Sequence, residues 1–162
     1  MAFDFNSLDH IFFMREALKE AELAMQEGER PIGAVIVHNG IIVGRGRAEH
    51  LKKHNRLAHA ELNALLATAT SLYDYPHSNG VIYTTLEPCE MCLGAIVMSD
   101  AVNHIVFALA DRWINPSPML DMPHVRRHIH NYVGGVLEAE SAALLKQSRP
   151  NEFILIQDGN KS

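Results

Sequence analysis

Thr85-Leu86-Glu87-Pro88-Cys89-Glu90-Met91-Cys92 decides how this chain is read, together with His59-Ala60-Glu61 upstream. Cys89 and Cys92 are the only cysteines, and two residues separate them. Pro88 suits the first turn of a helix, because its missing N–H is an orphan there anyway. Cys89 is then expected at a helix N-terminus, where the dipole favours the thiolate. Cys92 follows about one turn later on the same face. Zinc favours thiolate sulfur and imidazole nitrogen in a tetrahedral shell. His59, Cys89 and Cys92 supply three such donors, and Glu61 is a carboxylate the metal does not need. Three protein ligands describe a catalytic site, since a structural site normally closes with a fourth. The open position takes water, whose pKa the metal moves from about 15.7 towards roughly 7. Glu61 is placed to take that proton and hand it on. If His59 also opens a helix, two positive helix ends converge on the metal.

His-x-Glu followed by Pro-Cys-x-x-Cys resembles the signature of zinc nucleobase deaminases. The wider match runs from Pro31-Ile32-Gly33-Ala34-Val35 through Gly94-Ala95-Ile96. It is similar to the cytidine/deoxycytidylate deaminase superfamily, in the branch of tRNA adenosine deaminases, guanine deaminases and fungal-type cytosine deaminases. The resemblance covers residues 10 to 147 or so. It implies a three-layer α/β/α domain around a central mixed sheet of about five strands. It also implies one Zn2+ per chain on His59, Cys89 and Cys92, and proton transfer by Glu61. The implied reaction is hydrolytic loss of ammonia from an aminated purine or pyrimidine, with a homodimer as the common assembly. On the substrate side it points to Ala48, Ala60, Pro88, Asp111 and Trp113. Relatives usually carry a base-contacting asparagine eleven residues before the zinc histidine, and here that position is Ala48. A lost hydrogen-bonding group needs a substitute when the substrate buries polar atoms. Arg47, Glu49 and Asn55 are the candidates, unless the substrate itself is unusual.

Other readings of the motif are weaker. A lone C-x-x-C also suits a redox pair, but no thioredoxin-like setting surrounds it. A structural zinc site would need a fourth ligand, and no second C-x-x-C exists. A zinc-stabilised binding module without turnover is expected to have lost Glu61, which is present.

The 162 residues fit one domain, with a core over 10–147 and a tail over 148–162. Apolar residues make up 48%, ordinary for a soluble globular protein. No apolar run is long enough to span a bilayer, so no membrane partner is expected. Met1-Ala2-Phe3-Asp4-Phe5 lacks the basic start and apolar core of a signal peptide. Two metal-bound thiolates suit a reducing cytoplasm. The net charge of −5 works against a grip on large RNA, which usually needs a basic patch. The charge therefore favours a small aminated heterocycle, with adenosine in a tRNA anticodon loop as the alternative.

Local patterns place the elements. Ser7 is expected to cap a helix running to Glu27, with Ile11, Met14, Leu18, Ala21 and Met25 on its apolar face. Ile32–Val37 and Ile41–Val43 flank His38-Asn39-Gly40, a strong hairpin signal. Gly33 is expected to allow a close backbone approach near the site. Residues Arg47 to Leu57 read as a basic loop over the site mouth, either simply solvated or guiding an anionic substrate. A helix is expected from His59 to Thr68 with Leu62, Leu65 and Leu66 inward. Tyr73 to Gly80 reads as a loop and Val81–Thr85 as a buried strand. The helix after Cys89 should pack through Met91, Ala95 and Ile96, with Met98 as core filler.

His104–Phe107 should be a further buried strand. Ala110 to Pro118 reads as a loop where ligand crevices form in open α/β folds. There Trp113 either stacks on a base or packs, and Asp111 either bonds an amine or pairs with Arg112. Residues 123–130 are the most basic segment, fit for phosphate contact or for a solvated or dimer-facing helix. Tyr132-Val133 should begin a short strand, and a last helix should span Leu137 to Gln147 with Ala142 and Leu145 inward. Phe153-Ile154-Leu155-Ile156 reads as a non-helical apolar tail that docks on a second subunit. The final Asp158-Gly159-Asn160-Lys161-Ser162 carries no basic cluster.

Overall fold

A computed structural model describes residues 2–74 and 79–159, with the side chains of 69–71 left aside. The middle of the Tyr73–Gly80 loop and the last three residues of the tail lie outside the described residues.

After a short 3-10 turn (Phe5–Ser7), the chain runs through α1 (His10–Gln26), β1 (Gly33–His38), β2 (Ile41–Arg47), α2 (Ala60–Leu72), β3 (Gly80–Leu86) and α3 (Glu90–Ser99). It continues with β4 (Val102–Leu109), a 3-10 turn (Ser117–Asp121), α4 (Pro123–His128), β5 (Asn131–Val133), α5 (Glu138–Ser148) and α6 (Pro150–Asp158). The five strands form one sheet in the order β2-β1-β3-β4-β5. β1 is antiparallel to β2 and β3, whereas β3, β4 and β5 are parallel. Asn39 and Gly40 both take positive φ, 51° and 75°, as a two-residue hairpin turn of the primed kind requires.

Strand alternation sorts the core into two layers. Val35, Val37, Val81, Tyr83, Val106 and Ala108 face Phe13, Met14, Ala17 and Leu18 of α1. Ala34, Ile36, Ile82, Ile105 and Phe107 face Ala64 and Leu65 of α2 and Leu93, Ile96 and Val97 of α3. The result is a mixed sheet with helices on both sides.

Several local expectations change. Asp9, not Ser7, caps α1, its carboxylate accepting from Phe12 N at 2.9 Å. Met14, Leu18 and Ala21 of α1 are buried as expected, Phe13, Ala17 and Ala24 join them, and Ile11 is exposed. Gly33 does permit close approach, but to α1. A Cβ there would collide with the backbone of Ala17 and Ala21. Gly46 plays that part nearer the site, where a Cβ would strike Ala60 and Ala64 at the start of α2. Leu66 and Met98 point outward at 67% and 75% exposure, so neither fills the core. In α3 the buried residues are Cys92, Leu93, Ile96 and Val97.

The largest correction concerns the C-terminus. Residues 150–158 are a helix, and it folds back on its own chain. Ile156 is 5% exposed among Leu86, Leu109 and Leu145, with Phe153 and Ile32 alongside. Arg112 N donates to Ile156 O at 3.0 Å and the Arg112 guanidinium to Gln157 O at 3.2 Å. The tail is thus helical and packs on its own chain through Ile156 and Phe153, while Ile154 and Leu155 stay exposed.

Candidate metal and active site

Two helix starts make the metal site. His59 is the N-cap of α2 and Cys89 the N-cap of α3, both in extended backbone conformation. Neither side chain caps its own helix, and the two turn towards each other instead. Pro88 sits just before the α3 cap rather than in its first turn. Cys89 Sγ and Cys92 Sγ each lie 3.6 Å from His59 Nδ1. All three donor atoms fall within 4.8 Å of one another. With Zn–S near 2.3 Å and Zn–N near 2.0–2.1 Å, tetrahedral coordination separates sulfur from nitrogen by roughly 3.6 Å. The donors therefore fit zinc in spacing as well as in kind, through Nδ1 of the histidine.

Glu61 enters from the first turn of α2 and is 4% exposed. The Thr84 hydroxyl donates to its Oε1 at 3.0 Å. Its Oε2 accepts from the Cys92 thiol at 3.5 Å. Thr84 thus holds one oxygen while the other faces the metal donors. Burial pushes the Glu61 carboxyl above its ordinary value, so it holds a proton more readily than a solvated glutamate. The Cys92 thiol bonded to Cys89 pulls the Cys89 pKa down, and the same contact pushes Cys92 up. His59 goes up chiefly through its hydrogen bond to Cys89.

A cavity opens beside these groups, and Ala48, Ala60, Asp111 and Trp113 line it while Pro88 does not. Asp111 is buried and does not pair with Arg112. Its Oδ1 accepts from Trp113 N and Ile114 N, both at 3.0 Å, which shapes the loop after β4. Its own N–H donates to Glu87 Oε2 at 2.8 Å, and Tyr132 donates to Glu87 Oε1 at 2.7 Å. Burial raises the Asp111 carboxyl.

The three candidates to replace the missing asparagine are engaged elsewhere. Arg47 pairs with Glu20 and Glu27 at 3.1 and 2.8 Å. Glu49 pairs with Lys52 and Lys53 at 3.2 and 2.8 Å. Asn55 accepts from Leu57 N at 2.9 Å. None of them lines the cavity.

Arg30, Glu152 and Ile156 also line the cavity and were not singled out from the sequence, and His50, which lines it too, was read only as part of the Arg47–Leu57 loop over the site mouth. Arg30 Nε meets Glu152 Oε2 at 3.1 Å, joining the chain before β1 to α6. His50 packs edge-on against His59 with ring centroids 5.1 Å apart. Pro150 at the first turn with Glu152 behind it was a helix-start signal that could have revealed α6.

Known proteins share this arrangement. Residues 8–109 match the family model described as the cytidine and deoxycytidylate deaminase zinc-binding region. A tRNA-specific adenosine deaminase of Bacillus subtilis (strain 168) is 37% identical over 136 residues, covering 82% of this chain and 84% of that protein. That of Buchnera aphidicola subsp. Baizongia pistaciae is 41% identical over 96 residues, 59% of each chain. Among solved structures, one from work on A-to-I editing by tRNA:A34 deaminases superposes with a TM-score of 0.73. It is 29% identical and covers 83% of this chain and 99% of its own. A guanine deaminase from Bacillus subtilis gives a TM-score of 0.59 at 29% identity, over 70% and 71% of the two chains. With the zinc-type donor triad, the buried glutamate and the family match over residues 8–109, this chain belongs to the cytidine and deoxycytidylate deaminase zinc-binding family.

Proposed function

We propose that the chain works as a single zinc deaminase domain that hydrolyses the amino group off a small aminated purine or pyrimidine and releases ammonia. The observation that carries the small-substrate reading is α6. Its Glu152 and Ile156 line the cavity, and Glu152 pairs there with Arg30 at 3.1 Å. The net charge of −5 agrees.

His59, Cys89 and Cys92 would hold the zinc, which when bound supplies a Lewis acid that acidifies water to a pKa of roughly 7. Glu61 takes a proton on Oε2 while Thr84 keeps Oε1 still, then returns protons to the ring and to the leaving amine. Its burial raises its proton affinity, as a group that must both accept and donate near neutral pH requires. Cys89 is the N-cap of α3, so the positive end of that helix lies at the metal donors and favours negative charge there. Asp111 shapes the opposite wall by holding the 111–114 turn.

A second reading, adenosine in a tRNA anticodon loop, is favoured by the 37% identity to the Bacillus subtilis enzyme. A gel shift with an anticodon stem-loop at physiological salt separates the two. The small-substrate reading expects no shift at micromolar protein and turnover of a free base or nucleoside; a tight shift with turnover only on the stem-loop would reverse the choice.

We also propose a homodimer. Leu66, Tyr73 and Met98 are exposed along one apolar groove between α2 and α3, larger than isolated surface residues need explaining. Sedimentation should give twice the chain mass, and Met98→Lys should shift it towards one. No helix among the described residues is long and apolar enough to cross a membrane. A cytoplasmic location fits metal-bound thiolates.

A further inference from the structure

Three strand ends meet on one carboxylate. Glu87 follows β3 directly and is buried. Its N–H donates to Leu109 O at 2.8 Å, which carries the β3–β4 pairing one step past the strand. Its side chain then reaches across the same edge. Oε2 accepts from Asp111 N, just beyond β4, at 2.8 Å. Oε1 accepts from the Tyr132 hydroxyl of β5 at 2.7 Å.

The metal donors and the facing wall of the cavity lie at the two ends of this link. Along the chain, only Pro88 separates Glu87 from Cys89. Across the link, Asp111 Oδ1 holds Trp113 N and Ile114 N, and Asn115 N returns to Asp111 O at 2.9 Å. Trp113 and Ile114 line the same cavity as His59, Glu61 and Cys89. Residues 110–116 belong to no helix or strand, so a few bonds of this kind, rather than a ladder, set where the turn sits.

We infer that Glu87 is a positioning residue of the deaminase site, its carboxylate fixing the Asp111–Ile114 wall against the metal donors through the Asp111 N–H. The inference rests on the deaminase reading, and it gives Glu87 no contact with the reacting atoms. A carboxylate suits the task because it accepts on both oxygens at once, from a fixed backbone N–H and from a hydroxyl on a third strand. Glutamine can keep both links, with its oxygen on Asp111 N and its amide N–H on the Tyr132 oxygen, since a tyrosine hydroxyl also accepts. Methionine keeps the length of the side chain and loses both.

The test uses the full zinc-loaded chain with guanine, adenosine and cytosine as probes. For whichever is turned over, Glu87→Met should raise KM by about tenfold or more, because a displaced wall loses its fit, and change kcat by less than about threefold. Zinc should stay at one per chain. Glu87→Gln should recover most of the loss. The double variant Glu87→Met with Asp111→Ala should be no worse than the more impaired single variant, because both break one link. An unchanged KM in Glu87→Met would make Glu87 a residue of the fold alone, and loss of zinc would place its role at the metal. A Glu87→Gln as impaired as Glu87→Met would make its charge, not the link, what matters. Each of these, or additive losses in the double variant, would overturn the assignment. Should Glu87→Met fail to fold, Tyr132→Phe, which frees one carboxylate oxygen, should still raise KM, and an unchanged KM there would overturn it too.

A second measurement needs no substrate. Trp113 is the only tryptophan, so its fluorescence reports this turn alone. In ligand-free protein with unchanged far-UV circular dichroism, acrylamide quenching of Trp113 should differ from wild type in Glu87→Met and return towards it in Glu87→Gln. Quenching that does not move would show that Glu87 does not hold the turn, and the inference would be wrong. If the wild type turns over none of the probes, the deaminase reading is what fails, and Trp113 still decides the part of Glu87.

Discussion

The two sides of the site are built in opposite ways. The metal side is local. His59 and Glu61 share one helix start, Cys89 and Cys92 share another, and the two helices pack side by side on one face of the sheet. The capping side gathers Arg30, His50, the 111–114 turn and α6 from four distant parts of the chain. Chemistry common to a family can be carried by short motifs at fixed helix ends. Recognition needs contacts that change from one substrate to another, and separate segments can supply such contacts one at a time.

That division can be tested by breaking each side in turn. The largest effect should come from the metal side. Glu61→Gln should lower turnover by about 10²–10⁴-fold, the range for a general acid–base group, while metal analysis still finds one zinc per chain. A variant that kept wild-type turnover would remove Glu61 from the chemistry.

On the capping side, Ile156→Ala opens a cavity among Leu86, Leu109 and Leu145. Urea unfolding should show a loss of about 2–5 kcal/mol. KM should rise as α6 loosens, with zinc content unchanged. Zinc loss in this variant would show that the two sides are not separable.

Asp111 sharpens the comparison further. Asp111→Asn keeps an oxygen for Trp113 N and Ile114 N, whereas Asp111→Ala loses both bonds. The alanine variant should cost about 1–3 kcal/mol and the asparagine variant much less. If the asparagine variant nevertheless lost substrate affinity, the Asp111 charge itself would be part of recognition.

The smallest effect lies far from the site. Hydrogen bonds from Lys19 and Arg45 hold the Glu16 carboxyl below its ordinary value of 4.5. A depressed acid stabilises the fold at pH above 4.5, and that contribution is lost as pH falls through the lower folded value. Glu16→Gln should therefore show a shallower loss of stability in acid. The partners are partly exposed, so the difference should stay within about 1 kcal/mol.

The same division explains what could be read from the sequence. The metal ligands were legible because proline, cysteine spacing and His-x-Glu each mark a helix start by local rules. The Asn39-Gly40 hairpin was legible because its turn requires positive φ at both residues. The central strands were legible because they are buried on both faces. The C-terminal helix was hidden by its composition. Phe153 to Ile156 are four apolar residues in a row, with no helical spacing to see, and only Ile156 is fully buried. His50 was legible only as part of the Arg47–Leu57 loop over the site mouth. It is one of the chain's ten histidines, and only the fold brings it to the cavity wall and to Glu29. The outward turn of Leu66 and Met98 was misread because helical periodicity shows a stripe but not which neighbour covers it.

The most direct test of the whole account is ammonia release from zinc-loaded protein across bases, nucleosides, nucleotides and an anticodon stem-loop. The account predicts release from at least one small heterocycle, lost when zinc is removed by chelation and restored when it returns. Stoichiometric zinc with no ammonia from any of them would contradict it.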